Sequence, residues 1–360
     1  LKLSPEELFI TDILRSFVAG HPAGWTGAPL PTGLDWQAIL AIGHYHNLLS
    51  LFYHEISRQG QAEQLPSWFR QQLRQEFLQN TAFTLLYEAV LGQVQDALDC
   101  QAIPFIILKG PSIAAEFYQP REVRPYVDLD VLINKDDYNR VKEVLERLDF
   151  YQPEAAFEEI QRQFFNCVNF RRHGEQQVAL DLQWDTLLVS WNDHSFLKGE
   201  QVWQNRRWLD FDGRSLPVLQ PEALVVYLSI HLAVHHQFAR LLSLLDLDLV
   251  IRRHAARIDW HEVVNLALKM RICKPLFYSF KLAVDLLGSP LPKEVLAELE
   301  QPAYEKYLLP IQTLAFKTKP LAKPFELAVK YLLIDRFPER FKAVRVYFQK
   351  ARARKNVKAS

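Results

Sequence analysis

Only three cysteines occur in the 360 residues, Cys100, Cys167 and Cys273, and no two of them form a CxxC pair. That scarcity excludes a disulfide scaffold and a cysteine-built structural zinc site, and it fits a reducing compartment, the cytoplasm. Net charge is missing as well: 42 basic and 42 acidic side chains balance. The chain as a whole therefore has no pull toward a polyanion, and any preference for nucleic acid must be local. No apolar run is long enough for a membrane span. The longest, Ala223–Val234, contains Ser229 and His231 and falls far short of the ~20 residues a transmembrane helix needs. Internal repeats and low-complexity tracts are also lacking, which excludes solenoid architectures. The first residues, with Ser4 as N-cap and Pro5 in the first turn, read as a helix start rather than a signal peptide.

What is present is an ordinary globular composition, 49% hydrophobic and 23% charged, sufficient for two or three cores. Residues 1–98 show helical patterning, with Trp36, Ile39, Leu40 and Gly43, then Phe69, Leu73 and Phe77, at spacings of three and four. From Ala102 the character changes. Ile103–Leu108 is a short apolar run ended by Lys109-Gly110-Pro111, which predicts a buried strand and a turn, with Ser112 capping a short helix. Val127–Ile133 predicts a second strand, Asn134–Leu148 a helix, and Phe165–Phe170 and Val178–Trp184 two further strands. From Pro221 onward the pattern is helical. The expected fold is α+β: an N-terminal helical region (1–98), a small mixed β-sheet core (99–215) and a C-terminal helical domain (216–360).

The chemistry concentrates on the second strand. Residues two apart in a strand point to one face with ~7 Å of rise between them, so Asp128 and Asp130 project together while Leu129 and Val131 face the core. Paired carboxylates repel unless a cation lies between them. Hard oxygen ligands suit Mg²⁺ (or Mn²⁺), and two such ions bridged by nucleotide phosphates can clamp the attacking and leaving oxygens of a phosphoryl transfer. A D-x-D pair can equally be a solvated rim. The balance shifts with Asp181, again set between apolar residues, which an adjacent strand would bring to the same metals as ligand or base. Lys109 and Gly110 stand at a strand-to-helix turn, where lysine and backbone N–H groups can hold the β- and γ-phosphates of an NTP, with Ser112 adding a hydrogen bond. A plain turn glycine beside an exposed lysine is the blander alternative. Arg124 would reach a phosphate, fix an aspartate in place, or make a surface salt bridge.

Ile107-Leu108-Lys109-Gly110, Tyr118, Arg124, Asp128-Leu129-Asp130 and Leu180-Asp181-Leu182-Gln183-Trp184 together resemble a little-characterised bacterial nucleotidyltransferase family, marked by an L-K-G turn, a tyrosine, an arginine and a D-x-D strand. Asp35-Trp36, Pro221-Glu222, the His231/His235 pair, Arg240-Leu241, Asp246-Leu247 and Asp259-Trp260 extend the resemblance over most of the chain. It implies a nucleotidyltransferase fold like that of DNA polymerase β, with Asp128, Asp130 and Asp181 as the carboxylate triad. Two departures stand out. Gly110 is followed by Pro111-Ser112 rather than directly by serine, and Gln183 stands where the family usually has histidine.

His231 and His235 share a helix face, with His236 following. The spacing can bind zinc, but Leu232 stands where an H-E-x-x-H site needs glutamate. The expected role is to line a cleft facing the sheet, hydrogen-bonded to Asp246 or Asp248, with Arg240 and Asp246 as neighbouring cleft or acceptor residues. A satisfied structural histidine is the alternative. Trp184, Trp191, Trp203 and Trp208 would stack on a base or fill the core. The basic tail from Lys342 to Lys358 would be a solvated terminus or touch RNA. These features lead to transfer of a nucleoside monophosphate from an NTP to an unidentified acceptor (small molecule, RNA or protein) by a two-metal mechanism. The competing expectations are a catalytically inactive nucleotide-binding or interaction protein retaining the fold, and a helical interaction module that binds no nucleotide.

Overall fold

Short segments rich in β-branched and aromatic residues pair into one mixed sheet in the computed structural model, which describes residues 3–20, 30–164, 166–174, 176–184, 200–300 and 308–335, with a few positions between 340 and 353. The strands are β1 (Phe105–Ile107), β2 (Leu129–Ile133), β3 (Phe150–Tyr151), β4 (Cys167–Arg172), β5 (Ala179–Gln183), β6 (Arg207–Phe211) and β7 (Arg214–Val218). Their spatial order is β3-β4-β5-β2-β1-β7-β6. The pairs β2/β5 and β1/β7 are parallel and the other neighbours antiparallel. The class is α+β, as expected.

Three strands, β3, β6 and β7, lie outside the sequence expectation. The hairpin β6–β7 turns on Asp212-Gly213, both at positive φ, between the paired residues Phe211 and Arg214. That is the Asp-Gly signature of a two-residue hairpin. It carries the sheet to Val218, past the boundary expected at 215.

Alternation along β1 and β2 separates two cores. Phe105, Ile107, Leu129, Val131 and Ile133 face one, packed by the C-terminal half of the long helix Ser67–Cys100 and by the helix Tyr138–Arg147. Ile106, Leu108 and Leu132 face the other. There, the N-terminal helices Pro5–Ala19, Trp36–Tyr45 and Leu49–Arg58 and the C-terminal helices Pro221–Ile230, Leu241–His254, Trp260–Met270 and Cys273–Leu287 share a single apolar cluster. Regions far apart in sequence are thus packed together on one face of the sheet. Each fully buried Leu, Ile or Phe in this cluster contributes roughly 1.5–3 kcal/mol of transfer free energy. The 34-residue helix Ser67–Cys100 spans both cores, with Phe69 and Leu73 in one and Tyr87 to Leu98 in the other. Its stripe at spacings of three and four explains why it needs no strong cap. No described helix is long and apolar enough to cross a membrane.

Candidate functional site

The face of β2 that does not carry Leu129 and Val131 carries Asp130, and the polypeptide entering the strand carries Asp128. In the parallel pair β2/β5 Asp130 lies opposite Asp181, while Leu180 and Leu182 turn to the other core. Period-two geometry and this register bring together the three aspartates singled out in the sequence: carboxylate oxygens of Asp128, Asp130 and Asp181 lie within 4.8 Å of one another. Asp130 is buried; Asp128 and Asp181 are partly exposed, so the cluster opens on their side.

Lys109 leaves β1 at the L-K-G turn, and its ammonium lies among these carboxylates, 3.4 Å from Asp128 Oδ1 and hydrogen-bonded to Asp130 Oδ2. Burial opposes the charge on Lys109, but Asp128 and Asp130 outweigh it and hold the pKa well above the usual lysine range. Burial, reinforced by the Asp128 charge, pushes Asp130 up to about 7 despite Lys109. Burial and Asp128 likewise raise Asp181. Three acids around one ammonium leave surplus negative charge, which adds to burial in both shifts. Gly110 has φ 72°, and a Cβ there would stand 3.2 Å from the carbonyl oxygen of Asp128. Glycine is required both by the backbone conformation and by this close approach.

Several supporting residues escape the sequence reading of the site. Gln183, on the same face as Asp181, donates from Nε2 to Asp130 Oδ1 at 2.7 Å. Asn169, opposite Asp181 in the antiparallel pair β4/β5, donates to Asp181 Oδ1 at 2.6 Å. Tyr87 donates its hydroxyl to Val127 O at 2.5 Å and accepts from Ala179 N at 3.2 Å, tying the segment before Asp128 to the start of β5. Period-two reasoning along β4 could have placed Asn169 on the carboxylate face; Tyr87 carries no signal within its helix.

Other expectations need correction. Arg124 makes no surface salt bridge and does hold an aspartate, though not one of the three in the cluster: it is buried, its Nε and Nη2 donate to the two oxygens of Asp246 at 2.7 and 2.6 Å, and Nη1 donates to Gly110 O at 3.4 Å. Tyr118 donates to the same Asp246 at 2.7 Å. The tyrosine, the arginine and Asp246 therefore form a buried clamp between the Gly110 turn and the helix Leu241–His254, which removes Asp246 from the cleft. Ser112 is buried inside the helix Pro111–Phe117, whose N-cap is Gly110, and makes no cap. Arg240 reaches the backbone of Tyr45 and lies over its ring, 5.5 Å from the centroid. Asp248 is taken by Arg252 and Ser289, so neither aspartate accepts from the histidines. Trp184 is core, edge-on to Tyr138. Trp191, Phe165 and most of the basic tail lie outside the described residues.

His231 and His235 do stand beside this face. Tyr227 stacks on His231, and both Lys109 and Asp128 act electrostatically on His235. Burial, then the neighbouring His236 and Lys109, holds His231 well below the usual histidine range; burial and Lys109 lower His235 to about 4. His236 is lowered by burial and by His235. All three shifts favour the neutral ring.

The model of a family described as uncharacterised nucleotidyltransferases matches residues 32–288. The match takes in the sheet, the carboxylate cluster, the clamp and the histidines. No curated protein matches the chain.

Proposed function

The chain belongs to the uncharacterised nucleotidyltransferase family, and from that premise we propose that it moves a nucleoside monophosphate from an NTP to an acceptor bound between the sheet face and the helical regions. The observation that carries this reading is the convergence of Asp128, Asp130 and Asp181 on one face with their oxygens within 4.8 Å. A donor set of three carboxylates with surplus negative charge fits a hard divalent cation, Mg²⁺ or Mn²⁺, with Asp128, Asp130 and Asp181 as its holders. When bound, such a cation supplies Lewis-acid stabilisation of the charge that builds on the phosphoryl and leaving oxygens.

The chain's own residues have distinct tasks. Gln183 and Asn169 orient the Asp130 and Asp181 carboxylates. Asp181, the partly exposed acid with a raised pKa, is suited to accept a proton from the acceptor nucleophile as it attacks the α-phosphorus and pyrophosphate leaves. Lys109 holds the acids together in the absence of nucleotide, and its flexible ammonium can pass to the β- and γ-phosphates when a triphosphate arrives. A second reading, a non-catalytic nucleotide-binding protein that retains the fold, draws on the same lysine, because its ammonium already neutralises part of the cluster.

Incubation with each α-labelled NTP, Mg²⁺ or Mn²⁺ and a panel of acceptors (sugars, antibiotics, tRNA, proteins including the chain itself) separates the two. Label transfer is expected for wild type and not for an Asp128→Ala/Asp130→Ala variant. Equal labelling by both ends the catalytic reading, and nucleotide binding without transfer favours the second.

A pH dependence follows from Asp130. With its pKa at about 7, the metal-free site holds a proton below that pH, and a cation can be ligated only as the proton leaves. Mg²⁺ affinity is therefore expected to rise by up to about tenfold per pH unit below 7 and to level off above it. Calorimetric titration at pH values on both sides of 7 reads this directly. A flat profile would remove Asp130 from the ligand set.

A further inference from the structure

The carboxylates are not the sole cluster of metal-ligating side chains. The helix Pro221–Ile230 runs into a π-helical turn, His231–His235, closed by His236 N–H donating to His231 O at 3.1 Å. The wider turn sets residues four and five positions on to either side of the first, whereas the fifth residue of an α-helix turns away. His235 and His236 consequently flank His231, with ring centroids 4.9 and 4.6 Å from it and 4.9 Å from each other. One ring nitrogen from each lies within 4.8 Å of the others.

Three further observations bear on what this arrangement is for. His231 is 7% exposed, yet no hydrogen-bond partner for any of the three side chains occurs among the described residues. None of their ring nitrogens is sealed from solvent, so an incoming ion can reach them. The two residues after the cluster, Gln237 and Phe238, both take left-handed backbone conformations, at φ 47° and 64°. Neither is glycine, so both hold a backbone conformation that L side chains rarely adopt. The turn is pinned there by the Gln237 amide, which donates to Val234 O and His235 O at 2.6 and 2.7 Å. Finally, the charged groups acting on the three rings are mostly cationic, Lys109, Arg124, Arg240 and Lys330 against Asp128 and Glu326, so ligation by the ring nitrogens has to outweigh that field.

We propose that His231, His235 and His236 form a transition-metal site, taken by Zn²⁺ or an ion of similar ligand preference, separate from the carboxylate cluster. Imidazole nitrogens suit Zn²⁺ and hard Mg²⁺ prefers oxygen, so the two clusters sort different metals. Tetrahedral Zn²⁺ with Zn–N of about 2.0–2.1 Å places its nitrogens about 3.4 Å apart, so the rings need close by no more than about 1.5 Å. Three histidines leave the fourth position free for an oxygen ligand, on the side of the exposed His235. The inference stands whether or not the chain transfers nucleotides.

The test is Co²⁺ titration of the chelator-treated, untagged full chain, read by visible absorption, followed by Zn²⁺ competition. Expected are tetrahedral Co²⁺ bands that saturate at one ion per chain, vanish on adding Zn²⁺ and survive excess Mg²⁺. His235→Ala and His236→Ala should each weaken Co²⁺ binding by about 100-fold or more, since even partners beyond the ligands cost 10–100-fold. Thermal unfolding of the metal-free variants should match wild type, because both residues keep surface exposure and neither side chain makes a hydrogen bond to a described residue that its loss would break. Asp128→Asn/Asp130→Asn should keep the bands. Absence of bands at stoichiometric Co²⁺, bands unchanged in His235→Ala, or bands lost in the aspartate variant would each overturn the proposal.

Discussion

Asp130→Asn is expected to lower nucleotidyl transfer by at least about 10³-fold while leaving the chain folded. Asp130 is the buried member of the cluster, held by Lys109 on one oxygen and by Gln183 on the other. Losing its charge takes from a bound cation the ligand with the least competition from water. Metal stabilisation of phosphoryl transfer is worth several kcal/mol, and about 4 kcal/mol corresponds to 10³ in rate at 1.36 kcal/mol per decade. The fold should tolerate the change, because asparagine imitates the protonated acid that burial favours below pH 7. Initial rates with α-labelled NTP, alongside circular dichroism, provide the check. A variant that keeps more than a tenth of wild-type activity would take Asp130 out of the reacting centre.

Arg124→Met, in contrast, should act on stability. The Arg124–Asp246 pair is buried on both sides and joined through two parallel hydrogen bonds, with Tyr118 as a further donor. Removing the guanidinium leaves the Asp246 charge buried with the Tyr118 hydroxyl as its remaining partner in the clamp, a loss of about 3–5 kcal/mol. That is a large fraction of the 5–15 kcal/mol by which proteins usually hold their fold. A double variant, Arg124→Met with Asp246→Leu, should recover most of it, because two matched apolar groups need no desolvated charge. Denaturant unfolding of the two single variants and the double measures this. If Arg124→Met stays within about 1 kcal/mol of wild type and instead abolishes nucleotide binding, the clamp is not structural and the arginine serves a phosphate after all.

Much of the carboxylate site is legible in the sequence. Asp128, Asp130 and Asp181 stand out because a strand repeats every two residues, so apolar neighbours on one face oblige the intervening acids to share the other. The need for glycine at 110 is legible as a turn signal. Other features are harder to see. The Asp212-Gly213 hairpin carries its own signal, but tryptophans and arginines surround it and blur the alternation of its strands. Gln183 looks like a departure from family pattern, although its position two residues beyond Asp181 places it on the same face. Lys109 points to phosphate because its nearest sequence context is a turn, not an acid.

The sequence by itself determined the helices, most of the strands, the face on which the acids lie and the family. Each of these depends on local periodicity or on residue types at short spacing. Only the tertiary structure decided that Lys109 lies among the aspartates, that Arg124 and Tyr118 are spent on an aspartate more than a hundred residues away, and that a π turn gathers His236 with His231 and His235. Charge pairing is a property of distance in space. Register, helix packing and a single widened turn set that distance, and no period of the chain encodes it. The D-x-D strand thus announced a site, and packing chose its neighbours.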